Sequence, residues 1–243
     1  MGYWSKIRPE IDALCNAQFD TPEYRRFFAV PSTQARLELR KTQFRYYARN
    51  RRDIWALAQS KVPLDVKRAI WEHEKGELMF DERLGRGHVT EQDFAEIGET
   101  KLLPGVRSTF YAFLYLEWER PWLEALMAPH IQERKNNGMI VRGGGIVQRM
   151  ARKELVDLGG NEASLDADTR VHMVADVEHT DMFEAIFENY ITDETSARRV
   201  VQAAEDSLAI YRLFIEAITT AQLELEGPPL PADWRTRGPV YAG

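Results

Sequence analysis

Between Thr195 and Leu225 the apolar residues Val200, Ala204, Leu208, Tyr211, Ile215 and Ile218 recur at helical spacing. A helix of about 30 residues is about 45 Å long. A rod of that length hides its apolar stripe only by lying along other helices. The remaining sequence supplies them. Helical runs are expected over Ser5 to Phe19, Glu23 to Phe28, Pro31-Ser32 to Leu57, Leu64 to Leu84, Val106 to Met127, Ile146 to Leu158 and Ala167 to Tyr190. A shorter one follows the capping-box-like Thr90-Glu91-Gln92-Asp93. Pro121 should kink the Val106 to Met127 helix near Glu117, and Pro129 should close it. Gly85-Arg86-Gly87, Asn136-Asn137-Gly138 and Gly159-Gly160 punctuate the runs. No alternating strand, internal repeat or low-complexity tract interrupts them. Short connections make neighbouring helices antiparallel. The expectation is an all-α bundle of seven to nine helices, one domain over residues 1–243, with 227–243 as an extended tail on the surface.

Charge and composition narrow the function classes. The net charge of -6 argues against nucleic acid, whose partners usually present a basic face. No apolar run approaches the ~20 residues needed to span a bilayer. The N-terminal MGYWSKIRPEID lacks the apolar core of a signal peptide, so a cytoplasmic protein with no membrane partner is expected. The single cysteine, Cys15, allows no internal disulfide and no Cys-rich zinc site.

Two of the five histidines fall in HMVADVEH, His172 to His179. At about 100° per residue, His172, Asp176 and His179 return to one helix face within ~40°. Two imidazoles and one carboxylate outline a first-row metal site that suits non-heme iron. A second metal would need more acids, and two other helices carry them. In WEHEKGELMFDERLGRGH, Glu74, Glu77 and Asp81 share a face, with His88 beyond a glycine turn. Like charges at Glu77 and Asp81 repel if buried without a cation, and a bound metal reverses that penalty. The same acids also suit a water-facing stripe. Glu117 sits among aromatic and apolar residues in YAFLYLEWERPW, either at an edge or facing a metal. His73, four residues before Glu77, is read first as a helix-face pair and second as a ligand. His130, with no acid partner recognised at ligand spacing, is read as a surface or satisfied core histidine. Gly143-Gly144-Gly145 lacks the following Lys-Ser or Lys-Thr of a phosphate loop and is read as a plain turn. Arg45, Arg49, Arg51 and Arg52 are each read first as part of a solvated basic helix end and second as a clamp for a substrate carboxylate. Aromatic residues such as Phe44, Tyr47 and Phe113 are read as core, with a subset lining a cavity between helices.

The order of ELMFDERLGRGH, EWERP and HMVADVEH resembles that in the heme-oxygenase-like di-iron oxidases, over Glu77 to His179. The last motif is specific and the first two are loose. The resemblance implies a heme-oxygenase-like bundle of about seven core helices without heme. It implies two iron ions held by His172, Asp176, His179, Glu117, His88 and a first-motif carboxylate, with Glu77, Asp81 and Glu74 all open for that last position. It also implies an oxidoreductase with dioxygen as co-substrate, working through a peroxo-diferric intermediate on a small amino acid, amine or carboxylate in secondary-metabolite biosynthesis. N-oxygenation, desaturation and oxidative C–C cleavage are the implied outcomes, with an external electron donor and a homodimer as further expectations. Two alternatives stand beside it. One is a metal-independent enzyme of the same fold, thiaminase-like or resembling the cofactor-free pyrroloquinoline-quinone synthase. The other is a non-enzymatic helical binding module.

Overall fold

The computed structural model describes residues 2–79, 85, 87, 89, 101–165, 169–171, 177 and 179–236. The described residues contain helices and turns and no strand. In chain order the α-helices are α1 (Tyr3–Ala17), α2 (Pro22–Ala29), α3 (Gln34–Lys61), α4 (Leu64–Leu78), α5 (Pro104–Glu119), α6 (Trp122–Arg134), α7 (Ile146–Leu158), α8 (Glu184–Tyr190) and α9 (Glu194–Glu224). Residues 169–171, 177 and 179–181 are helical as well, and Met182 and Phe183 form a turn that separates them from α8. The run expected from Ala167 to Tyr190 is therefore interrupted there.

Local chemistry sets several ends. Thr33 caps α3 by accepting from the Arg36 amide at 3.3 Å. Asp193 opens α9 in a reciprocal capping box with Ser196, its carboxylate accepting the Ser196 amide at 2.7 Å. Pro22 and Pro104 occupy first-turn positions, where their missing N–H costs nothing. Gly159 ends α7 with φ 72°, a left-handed conformation a side chain would strain. Pro121 does not kink a continuous helix. It ends the connection between α5 and α6, and α6 then runs through Pro129 to Arg134.

The long helix α9 is the spine. It lies against α1, α2, α3, α5 and α6, and buried apolar residues from Trp4 to Ile218 form one continuous cluster. Its C-terminal carbonyls are held by buried Arg36, whose guanidinium donates to Gln222 (2.9 Å) and Leu225 (3.1 Å), and also to Pro31 before α3 (3.0 Å) and Pro228 in the tail (2.9 Å). That clamp seats the start of the tail on α3. No helix among the described residues is long and apolar enough to cross a membrane.

Helix α6 is enclosed on every side: each residue from Glu124 to Arg134 is buried. A helix with no wet face needs no polar stripe and shows no amphipathic period. Its buried Gln132, Glu133 and Arg134 instead find partners inside the protein.

Candidate metal centre

Three helices and the helical segment ending at Asp181 meet around Glu133. Helix α4 contributes His73, Glu74 and Glu77, which share one side because they lie at i, i+1 and i+4. Helix α3 contributes Arg51, Arg52 and Trp55, α6 contributes Glu133, and the segment before α8 contributes His179.

Glu133 is the hub. Its Oε1 accepts from Arg51 Nη2 at 2.5 Å and lies 2.8 Å from His73 Nε2. Its Oε2 lies 3.8 Å from His179 Nδ1. Burial by itself would push this carboxyl up. Arg51, then the contacts with His179 and His73, outweigh burial and hold it well below the usual carboxylate range. The other nitrogen of His73, Nδ1, is 3.0 Å from Glu74 Oε1. Arg52 spans Glu74 (3.0 Å) and Glu77 (3.1 Å), and Glu77 Oε1 is 3.5 Å from His179 Nδ1. Aromatic groups seal the cluster: the Trp55 ring is 4.5 Å from the His73 ring and 5.2 Å from that of Phe183. A β-carbon at Gly76 would meet His179 Nε2 at 3.7 Å, an ordinary contact.

His73, Glu133 and His179 each offer one ligand atom, all within 4.8 Å of one another, and all three residues are buried. Two ligands bonded to one ion at ~2.0–2.2 Å lie roughly 3–3.5 Å apart. The spacings here bracket that range. Formal charge points the same way. Three carboxylates, Glu74, Glu77 and Glu133, face two guanidinium groups, Arg51 and Arg52, which leaves one negative charge beside two imidazoles.

Of the residues singled out from sequence, the structure brings His179 to this cluster and Glu77 to its edge. Glu117 is fully buried on α5, but it is not part of the three-residue group. Neither carboxylate oxygen of Glu117 has a hydrogen-bond partner. Burial pushes its carboxyl well above the usual range, against a smaller opposing pull from Lys61. The Lys61 ammonium itself binds the backbone carbonyls of Glu117, Trp118 (2.6 Å) and Arg120 (3.1 Å), closing the C-terminal end of α5. Asp81, His88, His172 and Asp176 lie outside the described residues. Arg51 and Arg52, expected as a substrate clamp or a solvated end, are internal counter-charges instead.

Two members of the cluster were placed differently by sequence. His73 is a cluster member, not merely a partner for Glu77 on one helix face. Glu133 was not singled out at all, although it lies three residues after His130 on α6. His130 is buried as expected of a core histidine, but it is not satisfied: neither ring nitrogen has a hydrogen-bond partner. Its ring packs 5.5 Å from Phe183 and 4.9 Å from Phe187. Burial, more than the neighbouring Arg134, keeps that imidazole neutral. No protein-family model and no curated protein matches the chain.

Proposed function

We propose that His73, Glu133 and His179 hold iron, and that the chain is a dioxygen-dependent non-heme iron oxidase or oxygenase acting on a small amino acid, amine or carboxylate. The observation that carries this is the buried His73–Glu133–His179 group, a two-histidine, one-carboxylate donor set of the kind used by non-heme iron enzymes. A second iron, as in the di-iron oxidases the sequence resembles, would draw on Glu77 beside His179 and on Asp81, His88, His172 and Asp176. The setting would then be biosynthesis of a small natural product, with electrons from an external donor.

The donor set fits the metal in a further respect. With its Nδ1 proton donated to Glu74, His73 would turn its Nε2 lone pair to a bound ion in place of its present contact with Glu133, and Arg52 fixes Glu74 in turn. Iron bound there would supply the activation of dioxygen. The chain's own part is to hold the donors, to neutralise surplus carboxylate charge through Arg51 and Arg52, and to keep bulk water out with Trp55 and Phe183. Neutral, unpartnered His130 is a proton acceptor held three residues from Glu133.

A metal-free reading is favoured by one observation. Arg51 and Arg52 already pair with all three carboxylates, so the cluster holds together as an ion-pair network. It belongs to a helical binding module or a cofactor-free enzyme. A thiaminase-like thiol mechanism is disfavoured, because Cys15 is buried on α1 and burial pushes its thiol up to about 12.

Anaerobic titration with ferrous iron, followed by metal analysis after desalting and then by oxygen addition, separates the two. The iron reading expects stoichiometric uptake, loss of uptake in His73→Ala and His179→Ala, and oxygen consumption by the loaded protein. No uptake by the folded wild type sinks it.

A further inference from the structure

We propose that Arg149 of α7 and Tyr24 of α2, with Tyr47 of α3 alongside, form a binding site for the carboxylate of a small organic acid. That this acid is the substrate rests on the iron reading above; that the site binds it does not.

Arg149 is 3% exposed, and its Nε and Nη2 donate to the carbonyls of Gly144 (2.7 Å) and Arg142 (2.6 Å). The guanidinium is thereby fixed by the glycine turn that precedes α7, and its Nη1 is left buried with no partner. No acid among the described residues forms an ion pair with it. The guanidinium carbon stands 4.4 Å from the centre of the Phe19 ring, and the Phe19 ring is 5.0 Å from that of Tyr24. Tyr24 is wholly buried and its hydroxyl has no partner. The Tyr47 hydroxyl is likewise buried and unpartnered. Its ring packs against Tyr211 (5.2 Å) and Phe214 (5.1 Å).

Native interiors pair most buried donors, and these three stand without a protein partner. A guanidinium N–H and two phenol O–H groups call for an acceptor that carries negative charge. Two of the five Arg149 N–H groups are taken by Gly144 and Arg142, so both N–H groups of Nη1 are left to meet the anion, which takes further bonds from the phenols. The guanidinium charge suits an anion, and the aromatic walls suit an apolar body. The direction of that body follows from the chain. Tyr47 precedes Arg51 by one turn of α3, and Arg51 holds Glu133 at 2.5 Å. An acid anchored at Arg149 and Tyr24 therefore extends past Tyr47 towards the His73–Glu133–His179 centre.

The test is calorimetric titration of chelator-treated, metal-free protein with 3-phenylpropanoate, decanoate and L-phenylalanine, and with neutral 3-phenylpropanamide. At least one acid binds and the amide does not. Arg149→Met weakens that binding about 10- to 100-fold. Tyr24→Phe weakens it about 10-fold and leaves the melting temperature unlowered, because the deleted oxygen bonds nothing in the free protein. His179→Ala, which removes a proposed iron donor, leaves acid binding intact. Acid binding without iron uptake sinks the iron reading and keeps this site. If no acid binds the wild type, or if Tyr24→Phe and Arg149→Met bind as tightly as the wild type, the site is refuted.

Discussion

Replacing Glu133 with glutamine tests the hub with almost no change of shape. In the wild type one oxygen, Oε1, faces both Arg51 at 2.5 Å and His73 at 2.8 Å. The Arg51 side chain is 10% exposed and that of Glu133 2%, so solvent screens the pair little. Removing one charge of such a pair strands the other, at about 3–5 kcal/mol. That is a large share of the ~5–15 kcal/mol that holds a domain folded. Glu133→Gln should therefore shift the urea midpoint sharply downward without changing the slope. The double variant Arg51→Met/Glu133→Leu removes both charges and should recover most of the loss. Acid titration gives an independent readout. The folded-state pKa of Glu133 is depressed, so its ionised form contributes stability that is present above the unfolded carboxylate pKa of about 4.3. That contribution fades as pH falls through the lower folded value. Below about pH 4 the wild type should lose up to ~1.4 kcal/mol per pH unit that the glutamine variant does not lose. A glutamine variant within about 1 kcal/mol of wild type, or a double variant no more stable than the single one, would refute the hub.

Glu117 should behave in the opposite sense. Its folded-state pKa is raised by burial, so its contribution is full below the unfolded pKa and declines as pH rises above it. Glu117→Gln should thus gain on the wild type between acid and neutral pH, followed by urea melts across that range, and a constant difference would show that the carboxyl is not isolated. Gly145→Ala should destabilise by several kcal/mol in thermal melts, because its β-carbon would stand 2.4 Å from the Asn136 backbone. Gly76→Ala should gain up to ~1 kcal/mol, since the new methyl meets His179 only at 3.7 Å; a loss would mean that His179 needs the space. His73→Ala should abolish iron uptake, whereas His130→Ala should leave uptake intact, with bound iron measured after desalting.

Much of the scaffold was legible along the chain because helix signals are local. The apolar spacing of α9, the prolines opening α2 and α5, and the glycines closing α7 act through residues within a turn or two of one another. Of HMVADVEH, His179 stands in the cluster, while His172 and Asp176 lie outside the described residues. Pro121 was misjudged as a kink because its missing N–H only says that helical bonding fails nearby. Whether the chain bends or restarts depends on what α5 and α6 pack against.

Glu133 could not be found that way. HIQERKNN reads as a polar exit from a helix, yet all of it is buried. Polarity marks a surface only when water is the available partner, and here Arg51, His73 and Ser207 take that role from other helices. The sequence by itself determined that this chain is helical, where most helices begin and end, and that acids and histidines are concentrated on a few of them. Tertiary structure alone decided that His73, Glu133 and His179 converge while Glu117 stands apart. It decided this because the partners of Glu133, Arg51 on one helix and His73 on another, are brought to it by helix packing that no local pattern encodes.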